Sequence, residues 1–371
     1  MLAKKIRIKP SKEQTKKLFE SSGVSRWAYN WTLAQQEENY KKGNKFIQDS
    51  VLRKEITKMK KTKDYFWLNE VSNDIPKQAI KDACKAYKDF FKGKFKKPKF
   101  KSKKLTKPSF YNDTSKLKLR EKEVFILKVG WIKTSEKMPL NVKVYNPRIT
   151  FDGKYWYISL SYQPNKITEK LSDDSIGIDL GIKELAIVSD GTIYKNINKS
   201  KVVKSKKKRL RRLQRNVSKK YEFNKKGGNY TKTSNIIKME RKIRLLQRSL
   251  SNIRINHLHQ TTTSIVKTKP KRIVVEDLNI KGMMKNKKLA KHISEQKFYE
   301  FKRQLGYKCE LIGIELVHAD RFFPSSKTCS NCGNVKKDLK LSDRVYSCEC
   351  GFTIDRDMNA ALNLANYGLI D

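Results

Sequence analysis

Asp179 is a carboxylate inside a predicted β-strand. It lies in the stretch "SIGIDLGIKELAIVSDG", whose apolar residues alternate as in a half-buried strand. The apolar side chains occupy one face of the strand, and Asp179 shares the other face with Gly177 and Gly181. Burying an unpaired charge is costly unless a counter-charge or a metal ion accompanies it. The pattern therefore predicts a partner for Asp179, with the glycines leaving room for ions and a phosphate.

Two further acidic positions follow predicted strands. Glu276 ends the apolar run of "RIVVEDLNI", which is typical of a strand buried on both faces. Ligands of open α/β sheets bind at the carboxyl ends of strands, although Glu276 or Asp277 could instead cap the next turn. In "FTIDRDMNAALNLANYG", Asp357 takes the N-cap position before a helix-forming run, and Asp355 is the competing candidate for a functional acid.

Carboxylates at these positions suit a site for hard cations. Mg²⁺ prefers oxygen ligands, and two-metal sites hold ions about 3.5 to 4 Å apart to activate water and stabilise the leaving oxygen of a phosphodiester. A metal of this kind would keep Asp179 charged. The separation of the acids in sequence is too long for a local motif, so spacing alone does not bring them together.

Four cysteines are typical of a structural zinc ribbon. In "CSNCGNVKKDLKLSDRVYSCECG", Cys329 and Cys332 form a CxxC knuckle, and Cys348 and Cys350 follow as CxC. Four thiolates complete a tetrahedral zinc shell and leave no position for a substrate. We therefore expect one structural Zn²⁺ whose loss unfolds this segment locally. Redox and disulfide roles are the alternatives.

The charge of the chain favours a polyanionic partner. Among 371 residues, 85 Lys and Arg oppose 37 Asp and Glu, for a formal charge of +48. Such a surplus attracts nucleic acid over a wide surface. A solvated lysine-rich surface is the alternative, whereas a membrane is disfavoured because the chain has no apolar run of about 18 residues. The N-terminus lacks the apolar core of a signal peptide, so we expect an intracellular, cytoplasmic protein.

The first part of the chain combines strands with a helical unit. Residues 1–10 alternate as a strand, and 11–98 carry helical periodicity that is broken near Gly23. Residues 99–170 contain short strands separated by turns. We expect a small β-barrel over this last range, completed by the first strand, with the helical unit inserted.

The second part contains the predicted chemistry. Residues 171–324 begin with the strand of Asp179 and its hairpin mates, and they include a basic helical hairpin over 199–268. The predicted ribbon occupies 325–352, and 353–371 form a last segment with the final acids. We therefore expect this range to form one sheet domain with two insertions, the basic hairpin and the ribbon.

The first helix of that hairpin is strongly basic. From Lys201 to Lys226 it holds thirteen basic residues and one acid, and its outer face predicts a nucleic-acid-binding stripe, with a solvated surface as the alternative. The residues we expect to contact nucleic acid are Lys206, Lys207, Lys208, Arg209, Arg211, Arg212 and Arg215.

These motifs, in this order, resemble a known family. The succession "GIDLG", "VVEDLNIKGM", "CSNCG" and "CECGFTIDRDMNAALN" is similar to TnpB, the transposon-encoded ancestor of compact type V CRISPR effector nucleases. The stretches "SRWAYNWTLA" and "FYNDTSKLKL" also look like that family, so the resemblance spans essentially the whole chain. The shortened CxC knuckle departs from the pattern and bears on the geometry of the ribbon only.

The resemblance implies a fold and an activity. The fold would be α+β and multidomain: a wedge β-barrel with an inserted helical recognition unit, then a RuvC-like nuclease domain of RNase H architecture with an inserted zinc ribbon. The protein would be a Mg²⁺-dependent DNA endonuclease, guided by a transposon-end RNA to double-stranded DNA beside a short flanking motif. Asp179, Glu276 and Asp357 would hold two Mg²⁺ ions, with Asp355 in reserve.

Two other functions compete with this hypothesis. The first is a nuclease-inactive, RNA-guided DNA-binding regulator in which the acids are structural. The second is a transposase that joins strands with the same fold, since such enzymes also use three acids. Retention of all three carboxylates disfavours the regulator, and the zinc ribbon between the last two acids disfavours the transposase.

Overall fold

The computed structural model describes residues 1–164, 169–340 and 343–368. The chain divides into two compact units, Met1–Pro164 and Asn165–Asp371. Within the described ranges, none of the helices combines the length and apolar character needed to cross a membrane.

The first unit joins a helical layer to one antiparallel sheet. Its elements are β1 (Leu2–Lys9), α1 (Lys12–Lys41), α2 (Asp49–Met59), α3 (Asp74–Phe91), β2 (Ser109–Tyr111), β3 (Lys118–Arg120), β4 (Glu123–Ile126), β5 (Gly130–Thr134), β6 (Val144–Phe151) and β7 (Trp156–Tyr162). The sheet has the order β2-β6-β7-β1-β5-β4-β3 and curls into a half-barrel. Because β1 pairs with both β7 and β5, the first strand completes this sheet as the sequence predicts.

Helix α1 is continuous where the sequence predicts a break. Gly23 lies within the single helix Lys12–Lys41. A glycine inside a helix costs only about 1 kcal/mol relative to alanine. That cost is offset by a capping box between Ser11 and Gln14 and by the burial of apolar side chains such as Leu18 and Leu33.

The second unit contains the remaining elements. They are β8 (Ser172–Leu180), β9 (Glu184–Val188), β10 (Ile193–Lys195), α4 (Lys201–Phe223), β11 (Lys225–Lys226), β12 (Asn229–Tyr230), α5 (Ser234–Lys267), β13 (Pro270–Glu276), α6 (Ile280–Met283), α7 (Ala290–Gln296), α8 (Phe298–Ile312), β14 (Glu315–Ala319), β15 (Val345–Ser347), β16 (Thr353–Asp355) and α9 (Arg356–Ala365). Helices α4 and α5 pack together as the predicted basic hairpin, and β11 and β12 pair within the connection between them.

A mixed five-stranded sheet lies at the centre of this unit. Its order is β10-β9-β8-β13-β14, with β8, β13 and β14 parallel and the β8–β9–β10 meander antiparallel. One face, which includes Ile178 and Val275, packs on α5 and α8 through apolar side chains such as Leu258 and Phe301. The other face packs on α9, where Val274 of β13 meets Leu364. The sheet is therefore covered on both faces.

Helix α9 lies against β8 without an intervening side chain. A Cβ added at Gly177 would stand 2.0 Å from the carbonyl oxygen of Ala361 and 2.4 Å from the nitrogen of Ala365. The prediction that this glycine leaves room for ions and a phosphate is wrong, because the helix backbone fills that space. Asp179 also lies at the end of β8 rather than in its middle, since the strand stops at Leu180.

Gly177→Ala should destabilise the second unit. The new methyl group overlaps backbone atoms that cannot rotate away. We therefore expect the free energy of unfolding to fall by about 1 to 3 kcal/mol. Urea denaturation followed by circular dichroism measures this change. Gly306→Ala is the matched control, because its Cβ would only come into ordinary contact with Leu316, at 3.8 Å. That control should be neutral or stabilising, and equal stability of both variants would contradict the close approach.

Candidate active site

Strand register places Asp179 beside Glu276. Strands β8 and β13 pair in parallel, with Gly177 opposite Val274 and Ile178 opposite Val275. Continuing this register by one residue sets the two acids level on neighbouring strands. Side chains alternate between the faces of a sheet, so Asp179 lies on the face of Gly177, and Glu276 lies on the face of Val274. Both carboxylates therefore lie on the face covered by α9, at the carboxyl ends of their strands.

The packing of α9 determines which of its acids lies level with Asp179. Ser175 Oγ donates a hydrogen bond to the carbonyl oxygen of Ala365 at 2.6 Å, and two residues further along β8 the close contact is with Ala361. Two strand residues advance about 6.6 Å, and one four-residue step along a helix advances about 6 Å. The next step along both elements matches Asp179 with Asp357.

Asp355 has a different role. Its side chain accepts hydrogen bonds from the backbone N–H groups of Asp357 at 3.0 Å and Met358 at 3.1 Å, so it is the N-cap of α9. The prediction that Asp357 is the N-cap is wrong, because the helix begins at Arg356 and its N-cap is Asp355, two residues before Asp357. Asp357 lies in the first helical turn, half-buried, whereas Asp355 is exposed.

Neighbouring acids destabilise the charged form of Asp179. Burial, which is the largest cause, and the charges of Glu276 and Asp357 together raise the pKa of Asp179 to about 7, while Arg356 opposes the shift. Burial also raises the pKa of Glu276, which Lys302 opposes. Repulsion of this kind between carboxylates is relieved by a bound cation. The site is therefore electrostatically prepared for a metal ion.

Two cations that sequence analysis did not single out neighbour these acids. Arg356 donates to the Asp357 carboxylate at 3.0 Å, and Lys302 forms an ion pair with Asp277 at 3.4 Å. Asp277 also pairs with Arg321 at 2.7 Å, and the N-cap of α6 is Asn279, so neither Glu276 nor Asp277 caps the next helix. The available signal for Arg356 was its position between two acids.

Cys329, Cys332, Cys348 and Cys350 form a compact group of possible metal ligands, with all four ligand atoms within 4.8 Å of one another. Among the described residues, no other group of three or more His, Cys, Asp or Glu side chains is this compact. The carboxylates of Asp179, Glu276 and Asp357 form an all-oxygen donor set, and oxygen atoms are the ligands that hard cations such as Mg²⁺ prefer.

The cysteine cluster has the dimensions of a zinc site. The Sγ atoms of Cys329 and Cys350 are 3.8 Å apart, and those of Cys332 and Cys348 are 3.6 Å apart. A tetrahedron with Zn–S bonds of about 2.3 Å has edges of about 3.8 Å. Both distances match such an edge, and all four Sγ atoms lie within 4.8 Å of one another, so the four thiols fit one zinc ion with the shortened CxC knuckle in place.

The basic helix α4 divides into exposed and engaged residues. Lys206 and Lys207 are half-buried, and Lys207 pairs with Glu295, which also pairs with Arg254 at 3.2 Å. This ion pair links α4 to α7. Lys207 could bind nucleic acid only in competition with its ion pair to Glu295. The remaining predicted contact residues are exposed, and their binding role stays a prediction: Lys208, Arg209, Arg211, Arg212 and Arg215.

Three family models match this chain. The family described as "Probable transposase" matches residues 158–287, and the one described as "Cas12f1-like, TNB domain" matches 298–364. A family described as "Helix-turn-helix domain" matches 1–45, where this structure has strand β1 followed by the single helix α1. The first two matches cover the acids Asp179, Glu276 and Asp357 and the four cysteines.

Relatives that match nearly the whole chain are named as RNA-guided DNA endonucleases or as TnpB-like proteins. A protein of Streptomyces pristinaespiralis named "Putative RNA-guided DNA endonuclease" is 31% identical, over 98% of this chain and 89% of its own length. "Putative RNA-guided DNA endonuclease InsQ" of Escherichia coli (strain K12) is 29% identical, over 98% of this chain and 91% of its own length. "TnpB-like protein L770" of Acanthamoeba polyphaga mimivirus is 24% identical, over 99% of this chain and 73% of its own length.

A solved structure shares the fold. The protein in the cryo-EM structure of a Cas12f1–sgRNA–target DNA complex superposes with a TM-score of 0.61 at 15% identity, covering 96% of this chain and 83% of that chain. The likeness agrees with the predicted architecture of a curled sheet with a helical unit, a mixed sheet domain and a cysteine ribbon.

Zinc content tests the ribbon directly. The purified protein should contain about one zinc ion per chain by elemental analysis, and Cys332→Ser should lose it, because three thiolates bind zinc more weakly than four. Cys84→Ser is the control, since that cysteine is buried within the first unit, whereas the cluster belongs to the second. Full zinc content in Cys332→Ser would contradict the ligand assignment.

The metal-free protein should have a pH-dependent stability that originates at Asp179. A raised pKa means that the folded state favours the neutral carboxyl group, so its stabilising contribution is complete below the unfolded pKa and is lost as the pH rises through about 7. Asp179→Asn should therefore become more stable than the wild type as the pH increases from about 5 to 8, measured by thermal unfolding of the zinc-loaded protein without added Mg²⁺. Asp174→Asn, on the exposed part of β8, should follow the wild type. A constant difference across this range would contradict the desolvation of Asp179.

Proposed function

Because the chain belongs to the TnpB family of RNA-guided DNA endonucleases, we propose that it cuts double-stranded DNA at sites chosen by a transposon-end RNA beside a short flanking motif. The observation that carries the proposal is the meeting of three acids on one face of the mixed sheet: Asp179 and Glu276 through strand register, and Asp357 through the packing of α9. Sequence recognition by base pairing leaves the protein to grip the backbones.

The reaction is phosphodiester hydrolysis assisted by two Mg²⁺ ions. Bound Mg²⁺ supplies the activation of water and the stabilisation of the leaving oxygen. Asp179, Glu276 and Asp357 would hold the ions, and the burial of Asp179 would strengthen its attraction for a cation. Arg356 donates a hydrogen bond to the Asp357 carboxylate and so orients it at the start of α9.

The rest of the chain serves binding and support. The charge of +48 matches a protein that must hold both an RNA and a DNA duplex. The exposed cations of α4 contact phosphates of these nucleic acids, and Zn²⁺ holds the ribbon as a structural ion. The wedge and recognition roles belong to the curled sheet and the helices of the first unit.

Replacing the acids separates catalysis from binding. Asp179→Ala and Asp357→Asn should lower the cleavage rate by at least about a thousandfold, because each removes a metal ligand, while the affinity for guide-matched DNA stays within about twofold. Asp355→Asn is the matched control: it changes an acid two residues away that caps the helix and faces solvent, so cleavage should continue. The protein is purified with its copurifying RNA, sequencing of that RNA defines the target, and cleavage is followed with and without Mg²⁺.

Each alternative function predicts a different result. Cleavage at the wild-type rate by Asp179→Ala would exclude the proposed site. Binding of guide-matched DNA without cleavage by the wild type in Mg²⁺ would favour the regulator. Joined rather than cut products would favour the transposase, and a random sample of cellular RNA would exclude a guided enzyme.

A further inference from the structure

Two buried asparagines join helix α9 to the zinc ribbon. Asn359 has no exposed surface and Asn363 retains 7%. Both lie on the helix that begins with Asp357, and both point their amide groups at the segment that enters the first cysteine knuckle. A buried amide with satisfied hydrogen bonds specifies a single arrangement, because any other leaves polar atoms unpaired.

Asn359 binds the backbone on both sides of one zinc ligand. Its Nδ2 donates to the carbonyl oxygen of Thr328 at 2.6 Å, and its Oδ1 accepts from the N–H of Ser330 at 3.0 Å. Cys329 lies between these two residues and is itself 1% exposed. The position of this cysteine therefore depends on the helix, and the position of the helix depends on the cysteine.

Asn363 repeats the contact one turn later. Its Nδ2 donates to the carbonyl oxygens of Ser325 and Thr328, each at 2.7 Å. The second knuckle reaches the same helix through the chain itself, since β16 follows Cys350 closely and leads directly into α9. Both cysteine knuckles are thus connected to helix α9, the first by hydrogen bonds and the second through the chain.

We propose that Asn359 and Asn363 are positioning residues that couple the zinc ribbon to Asp357. With zinc bound, the two knuckles and α9 form one rigid unit, which sets the depth and rotation of α9 on β8. Without zinc, the first knuckle is free to move, and the helix loses the contacts that hold Asp357 level with Asp179. The zinc ion then controls the geometry of the carboxylate site without contacting it.

Hydrogen exchange tests the coupling without any cleavage assay. In the wild-type protein, removal of zinc with a zinc-selective chelator should accelerate amide exchange in residues 356–365 as well as in the ribbon. In Asn363→Ala, the zinc-loaded protein should already show fast exchange in α9, and chelation should add little. Unchanged exchange in α9 after zinc loss from the wild type would overturn the proposal.

Kinetics test the consequence for the reaction, and this part rests on the proposed function. Asn363→Ala and Asn359→Asp should retain one zinc per chain and normal DNA affinity, but kcat should fall about ten- to a hundredfold and half-maximal cleavage should require more Mg²⁺. Asn359→Asp keeps the acceptor for Ser330 and loses the donor for Thr328, so it remains informative if the alanine variant folds poorly. Asn366→Ala, exposed at the end of the same helix, is the matched control.

The outcomes separate the two proposals. If Asp179→Ala cleaves normally, the proposed function fails, and the exchange experiment still measures the coupling. If Asp179→Ala is inactive but Asn363→Ala and Asn359→Asp cleave with wild-type kcat and Mg²⁺ dependence, the positioning role fails.

Discussion

The close approach of α9 to β8 is the constraint on which the second unit depends. At Gly177 the helix backbone occupies the volume of a side chain, with a carbonyl oxygen 2.0 Å from where a Cβ would stand. Contact at this depth limits how far the helix can slide, since sliding it would bring larger side chains against the strand. This backbone packing, one helical turn away from the acids, therefore brings Asp357 towards the level of Asp179.

The same contact explains the electrostatics of the site. A helix held this tightly excludes water from the sheet face, and the loss of water raises the pKa of Asp179 to about 7. Arg356 partly offsets the repulsion among the acids, and Asp355 caps the helix with its own carboxylate. The site thus stores an unfavourable concentration of negative charge that a cation relieves. The same arrangement of acids therefore lowers the stability of the metal-free fold and favours the binding of a metal ion.

The zinc ribbon is continuous with this arrangement. Its strands β15 and β16 lead into α9, and the amides of Asn359 and Asn363 return to the first knuckle. A structural metal that does not contact a second site can still set the geometry of that site when one helix is bonded to both. The basic face of α4 is more independent, because most of its predicted contact residues are exposed, whereas α5 packs on the sheet.

The sequence by itself determined which residues are candidates for chemistry. Strand periodicity located Asp179 within β8 and Glu276 at the end of β13, cysteine spacing located the four thiols of the ribbon, and the run of basic residues located the hairpin of α4 and α5, because each signal is local in the chain. That Asp179 lies at the end of its strand was shown by the structure. Only the tertiary structure decided which acids meet. The choice of Asp357 over Asp355 depends on the axial position of α9, and the use of Gly177 depends on that same helix, which lies more than 180 residues away in the chain. Contacts between distant segments leave no periodic signal in either segment. The role of Gly177 and the hydrogen bonds of the Asn359 side-chain amide therefore became visible only in the tertiary structure.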